Sequence, residues 1–64
     1  MLVRELFATF SSHYNWEISL YDVNDNTEIH TDTDTLDTID EAWREAEICD
    51  WTCDGESFNV NVIK

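Results

Sequence analysis

The sequence predicts a small α+β domain, one unit over residues 1–64, with the element order α-β-β-α-β. Three observations predict it. Residues 2–11 carry large apolar groups at helical intervals. Residues 14–23 and 56–63 alternate apolar and polar side chains, as half-buried strands do. Thr38-Ile39-Asp40-Glu41 fits a capping box, a Ser or Thr followed three residues later by Glu, and opens a second helical stripe. The simplest packing is a three-stranded antiparallel sheet with both helices on one face.

In the first segment Leu2, Val3, Leu6, Phe7 and Phe10 share one helical face, while Arg4, Glu5, Ala8 and Thr9 fill the other. A strand is the rival, because Leu2, Leu6, Ala8 and Phe10 also alternate; helix is preferred because it gathers all five large apolar groups. Ser11-Ser12-His13 ends it. Tyr14, Trp16, Ile18 and Leu20 then point one way, and Asn15, Glu17, Ser19 and Tyr21 the other. Asn24-Asp25-Asn26 is turn chemistry, since Asn and Asp tolerate a left-handed backbone and bond their own chain. The returning strand, residues 27–33, has Ile29 as its only large apolar residue, which suits a sheet edge whose acids deter pairing with other chains.

Behind the capping box, Ile39, Ala42, Trp43, Ala46 and Cys49 form the second helical stripe. Its end is open to two readings. Gly55 is either the left-handed residue just past a helix reaching Asp54, or half of an Asp54-Gly55 hairpin turn between residues 51–53 and 56–58. The first is preferred. Phe58, Val60 and Val62 face inward on the last strand.

Fifteen Asp and Glu stand against three Lys and Arg in 64 residues, a formal net charge of −12. A chain this short buries only about 60% of the surface it exposes when unfolded, and self-repulsion reduces that margin further. The sign of the charge excludes direct nucleic-acid binding, which needs cations to replace phosphate counterions, and docking on anionic membranes. Three Trp, three Phe and two Tyr exclude a disordered acidic tail. No apolar run approaches the roughly 20 residues of a membrane span. Arg4 and Glu5 interrupt any signal-like stretch. With only two Cys, the expectation is a reduced, cytoplasmic protein.

The charge is confined. Residues 1–16 are balanced, residues 17–56 carry −13, and residues 57–64 carry only Lys64. Asp32 and Asp34 lie on one side of an extended segment, about 6.7 Å apart. On the expected helix Asp37, Glu41 and Glu45 succeed one another at i, i+4, about 6 Å per step, flanked by Asp40, Glu47 and Asp50. Like charges at that spacing destabilise a helix by roughly 0.2–0.5 kcal/mol per pair. The helix dipole offsets this for Asp37, Asp40 and Glu41 and not for the later acids. Such a row matches the phosphate track of a nucleic acid; the alternative is a solvated acidic surface. On the same helix Ile48 and Trp51 fall off the main stripe. They form either an exposed apolar hot spot for a protein partner or a second core face.

Other chemistry is thinner. Asp22-Val23-Asn24-Asp25-Asn26 matches positions 1, 3 and 5 of a calcium loop, but position 6 is Thr27 instead of Gly and position 12 is Thr33 instead of Glu. His13, His30, Cys49 and Cys53 lack the paired spacing of a zinc site. No nucleophile–base arrangement is legible, and one glycine makes no phosphate loop. No metal, cofactor or catalysis is expected.

The run Leu2 to Phe7, then Asn15 to Asp22, then Thr27-Glu28-Ile29, resembles a pattern common in short phage and prophage proteins: a leading helix, a strand ending in a Tyr-Asp turn, and a return strand. In size and charge the chain is similar to small phage-encoded inhibitors, the anti-CRISPR proteins and anti-restriction DNA mimics. That resemblance implies a non-enzymatic inhibitor acting in the host cytoplasm on a nucleic-acid-binding protein or nuclease complex. The residues expected to carry binding are Asp32, Asp34, Asp37, Asp40, Glu41, Glu45, Glu47, Asp50 and Trp51. The alternative is a small phage adaptor that binds through apolar surface near Trp51, with the acids only solubilising.

Overall fold

In the computed structural model, residues 1–8, 15–55 and 57–64 are described. They form α1 (Val3–Ala8), β1 (Glu17–Asp22), β2 (Thr27–Asp32), a 3-10 turn (Leu36–Thr38), α2 (Glu41–Arg44), β3 (Glu47–Asp54) and β4 (Ser57–Ile63). The fold is helices on a mixed four-stranded sheet of order β2-β1-β4-β3. This corrects the expected three antiparallel strands: β1 and β4 are parallel neighbours, and a fourth strand, β3, forms an edge.

The first helix forms as expected. Val3, Leu6 and Phe7 are buried at i, i+3, i+4. Glu5 Oε1 accepts a hydrogen bond from the Leu2 N–H at 2.8 Å, half of a capping box at the helix entry. Thr9, Phe10, the Ser11-Ser12-His13 terminator and Tyr14 lie outside the described residues. The β1–β2 hairpin also follows the sequence. Its turn holds Asn26 at φ 55°, and Asp22 Oδ1 accepts from the Asn24 N–H at 3.0 Å. Asp22 is buried at the strand end and closes this turn from within. β2 is an edge strand, with Ile29 half-buried.

The second helical segment departs from expectation. Ile39 is extended (ψ 166°), separating the 3-10 turn from α2, whose N-cap is Asp40 and not Thr38. Asp40 accepts from the Ala42 N–H at 3.1 Å. The helix stops at Arg44, and residues that were expected to continue it form β3. Two forces favour the strand. Ile48, Trp51 and Thr52 are strand formers, and the acids at 45, 47 and 50 gain nothing from the C-terminal end of a helix dipole. A hairpin is therefore the correct alternative, with its turn one residue later than expected: Asp54 closes β3 opposite Ser57, and Gly55 follows at φ +65°. A bulge between Ile48 and Asp50 shifts the register by one residue. It leaves Ile48 and Trp51 on the same face although they are three apart. Of the expected stripe, Trp43 and Ala46 are buried, while Ala42 and Cys49 are exposed.

The core is one-sided. Ile18 and Leu20 from β1, and Phe58, Val60 and Val62 from β4, pack against Val3, Leu6, Phe7, Trp43 and Ala46. Phe58 is the aromatic centre, with the Trp16 ring at 4.9 Å, Trp51 at 5.6 Å and Phe7 at 6.0 Å. Among the described residues no helix is long and apolar enough to cross a membrane.

Two substitutions separate turn from core. Leu20→Ala, at a site of 0% exposure, is expected to lower unfolding stability by about 2–5 kcal/mol in urea titrations. A Cβ on Gly55 meets no atom within 4 Å, so Gly55→Ala is expected to cost only the left-handed backbone penalty of about 1–2 kcal/mol. A smaller loss for Gly55→Asn than for Gly55→Ala would confirm that backbone conformation sets this cost.

Candidate binding surface

The pairing register builds a second sheet face that carries no core. Three rows cross it in register. Asp32, Glu17, Ser57 and Asp54 form one; His30, Ser19, Asn59 and Thr52 the next; Glu28, Tyr21, Asn61 and Asp50 the third. Every side chain in these rows is polar, because alternate residues of the same strands supply the core. Four of the carboxylates lie on the edge strands β2 and β3 and one, Glu17, on central β1, with Ser and Asn on β4. Across the sheet Asp32 and Asp54 are separated by three strand spacings, about 14 Å, and along a strand successive rows are about 6.7 Å apart. A shallow groove of about 690 Å³ is lined by Glu17, Ser19, His30, Asp32, Asp54 and Asn59.

Local hydrogen bonds hold this face. Ser57 Oγ donates to Glu17 Oε2 at 3.3 Å, and Asn61 Nδ2 to Asp50 Oδ1 at 2.8 Å. The Tyr21 hydroxyl donates to Asn26 Oδ1. Asp32 Oδ1 accepts from both the hydroxyl (2.8 Å) and the N–H (2.9 Å) of Thr35. The Thr35 hydroxyl, then the Thr35 N–H, hold the Asp32 carboxyl below its ordinary value of 3.8. Ser19 Oγ shares a 3.0 Å hydrogen bond with His30 Nδ1, and His30 Nε2 lies 2.9 Å from Glu28 Oε1. This has the connectivity of a serine–histidine–acid relay. It sits on an open sheet with the His30 side chain 71% exposed, and the N–H groups of the central strand β1 are committed to its two ladders. The relay ties β2 to β1.

The Arg and Lys side chains lie toward the helix-bearing side of the sheet, and the Met1 ammonium sits at the β3 edge, where Glu47 and its partner Ile63 fall on the open face. Arg4 Nε meets both oxygens of Glu45, at 3.1 and 3.0 Å. The Met1 ammonium meets Glu47 Oε1 at 2.8 Å. These hydrogen bonds raise the pKa of each cation. Lys64 Nζ lies 4.3 Å from the centre of the Trp43 ring. Arg44 lines a pocket of about 380 Å³ with Arg4, Phe7, Leu36, Asp34 and Asp37.

The residues expected from the sequence are thus divided. Asp37, Glu41 and Glu45 do not form an i, i+4 row, because Asp37 is in the 3-10 turn and Glu45 follows α2. Asp34 and Asp37 share a pocket with two arginines, and Glu45 and Glu47 are ion-paired. Asp40 caps α2, and Glu41 occupies its first turn. Asp32 and Asp50 belong to the open face. Trp51 stands 47% exposed on the helix-bearing side of edge strand β3. Glu17, Glu28 and Asp54 were not singled out from the sequence. The outward positions Glu17, Ser19 and Tyr21 carried the available signal, and the second row needed the β3 hairpin. Of the calcium-like residues, Asp22 is buried in the turn. Among the described residues no group of three acids, His or Cys could hold a metal; His13 lies outside them. Comparison with protein-family models, curated proteins and solved structures returned no match.

Removing the Thr35 hydroxyl should release Asp32. Thr35→Ala is expected to raise the Asp32 pKa toward 3.8, read by carboxyl NMR titration. A depressed carboxylate stabilises the fold above its unfolded pKa, and this is lost as pH falls through the folded value. The Asp32 share of acid destabilisation should therefore shrink in Thr35→Ala.

Proposed function

We propose that this protein is a non-enzymatic acidic decoy that binds the cationic nucleic-acid-binding surface of a host defence or nucleic-acid-processing protein, as small phage-encoded inhibitors do. The observation that carries the reading is the segregation of charge. Arg4, the Met1 ammonium and Lys64 are engaged with Glu45, Glu47 and Trp43, and Arg44 lies beside Asp34 and Asp37. Glu17, Glu28, Asp32, Asp50 and Asp54 share a face with no Lys or Arg. Glu17 and Asp32 lie one strand spacing apart, about 5 Å, and the other carboxylates stand about 10–14 Å from their neighbours, on a rigid sheet open to Lys and Arg side chains that otherwise meet phosphates.

Within the expected set, this reading gives Asp32 and Asp50 the leading part. Asp40 and Glu41 contribute from the exposed start of α2, Asp34 and Asp37 from the adjoining turn. Glu45 and Glu47 are largely neutralised. Glu17, Glu28 and Asp54 join the surface. The alternative, an adaptor docking through apolar surface near Trp51, draws on the exposure of that ring beside Phe58.

Salt separates the two readings. The immobilised chain is incubated with a host lysate, captured proteins are eluted along a salt gradient, and labelled DNA or RNA is tested as competitor. The decoy reading expects nucleic-acid-binding proteins that elute steeply with salt and are displaced by the nucleic acid. Each of Glu28→Gln, Asp50→Asn and Asp54→Asn should weaken capture about fourfold, from a pair energy near 0.8 kcal/mol at 5 Å in water. Capture that ignores salt but is lost in Trp51→Ala selects the adaptor and rejects the decoy.

A further inference from the structure

We infer that the free edge of β3, from Asp50 to Asp54, receives an extended basic segment of the partner as an added strand. This rests on the decoy reading and specifies how part of the partner is held.

β3 is the last strand of the sheet, paired on one side with β4 alone. The first stretch of its other side is already covered by strand addition from the chain itself. Leu2 bridges Glu47 in antiparallel fashion, Val3 N–H donates to the Ala46 carbonyl at 3.0 Å, and Ile48 N–H donates to the Met1 carbonyl at 2.8 Å. A positive group accompanies this pairing, since the Met1 ammonium meets Glu47. Past the bulge at Cys49 the covering stops, and no described segment lies along Asp50–Asp54. Outward N–H and C=O groups of an edge strand are a template for pairing.

The side chains specify the occupant. Asp50, Thr52 and Asp54 face the open polar side, and Trp51 and Cys53 the helix-bearing side. Trp51 is 47% exposed, with its ring 5.6 Å from Phe58. An added strand with Lys or Arg at alternate positions and apolar residues between them places its cations beside Asp50 and Asp54 and its apolar groups beside Trp51. A second copy of this chain does not fit: pairing two β3 edges sets acids against acids, between molecules of net charge −12. The acids thus exclude self-pairing and admit a basic strand.

Three peptides of equal composition test this by NMR titration of the full chain: alternating lysine and valine, the same residues in two blocks, and the alternating peptide N-methylated at every second amide so that one edge cannot pair. The alternating peptide is expected to shift amides over Asp50–Asp54 and the Trp51 indole. N-methylation of the pairing edge should weaken it by about thirtyfold, the loss of two hydrogen bonds of about 1 kcal/mol each. The block peptide should bind less tightly than the alternating one. Equal affinity for all three, or shifts along β2 instead of β3, overturns strand addition while leaving the decoy reading intact. If none of the three binds more tightly at low salt, both fail.

Discussion

The parallel pairing of β1 with β4 is the contact on which the rest of the molecule depends. It sets Ile18 beside Phe58, Leu20 beside Val60 and Asp22 beside Val62, so the two central strands present one continuous buried strip. Among the described residues two short helices and Ala46 cover that strip, with Leu36 and Ile39 packed against its margin. The strands therefore divide each residue pair between a core position and a water-facing one. The polar rows of the open face follow directly from the one-sided core, because register fixes both faces together.

Electrostatics follows the same division. Twelve excess negative charges oppose compaction in a domain with a small core. The few cations are placed where they join elements distant in sequence: Arg4 links α1 to the end of α2, the Met1 ammonium links the start of the chain to β3, and Lys64 returns the last residue to Trp43. Exposed pairs of this kind contribute little individually. Their consequence for the surface is larger, because the Arg and Lys side chains gather on the helix side and leave most of the sheet face and its turns negative.

Much of this was legible in the residues. The apolar spacing of Val3, Leu6 and Phe7 found α1, the alternation from Trp16 to Tyr21 found β1, and the single apolar Ile29 marked β2 as an edge. The β3 strand was hidden by its bulge. One extra residue at Cys49 converts a two-residue alternation into an interval of three between Ile48 and Trp51, which mimics a helix. Trp43 and Ala46 continued that false stripe, since a short helix followed by a turn buries both. The parallel pairing carries no local signal at all, because it depends on contacts between β1 and a strand near the other end of the chain. The acidic surface was legible as a segment and not as a geometry. Confinement to residues 17–56 pointed to a negative region, but the strands that set its spacing had to be paired first.

The central claim is that negative potential is concentrated on the open sheet face and not spread evenly over the protein. Paramagnetic relaxation of the amides by matched cationic and anionic nitroxide cosolutes maps that potential directly. The account predicts the highest cationic-to-anionic enhancement ratio at Ser19, Tyr21, Asn59, Asn61 and Thr52, with the lowest values around Arg4, Arg44 and Lys64. A ratio uniform over both sides of the sheet, or highest beside α1 and α2, would contradict it.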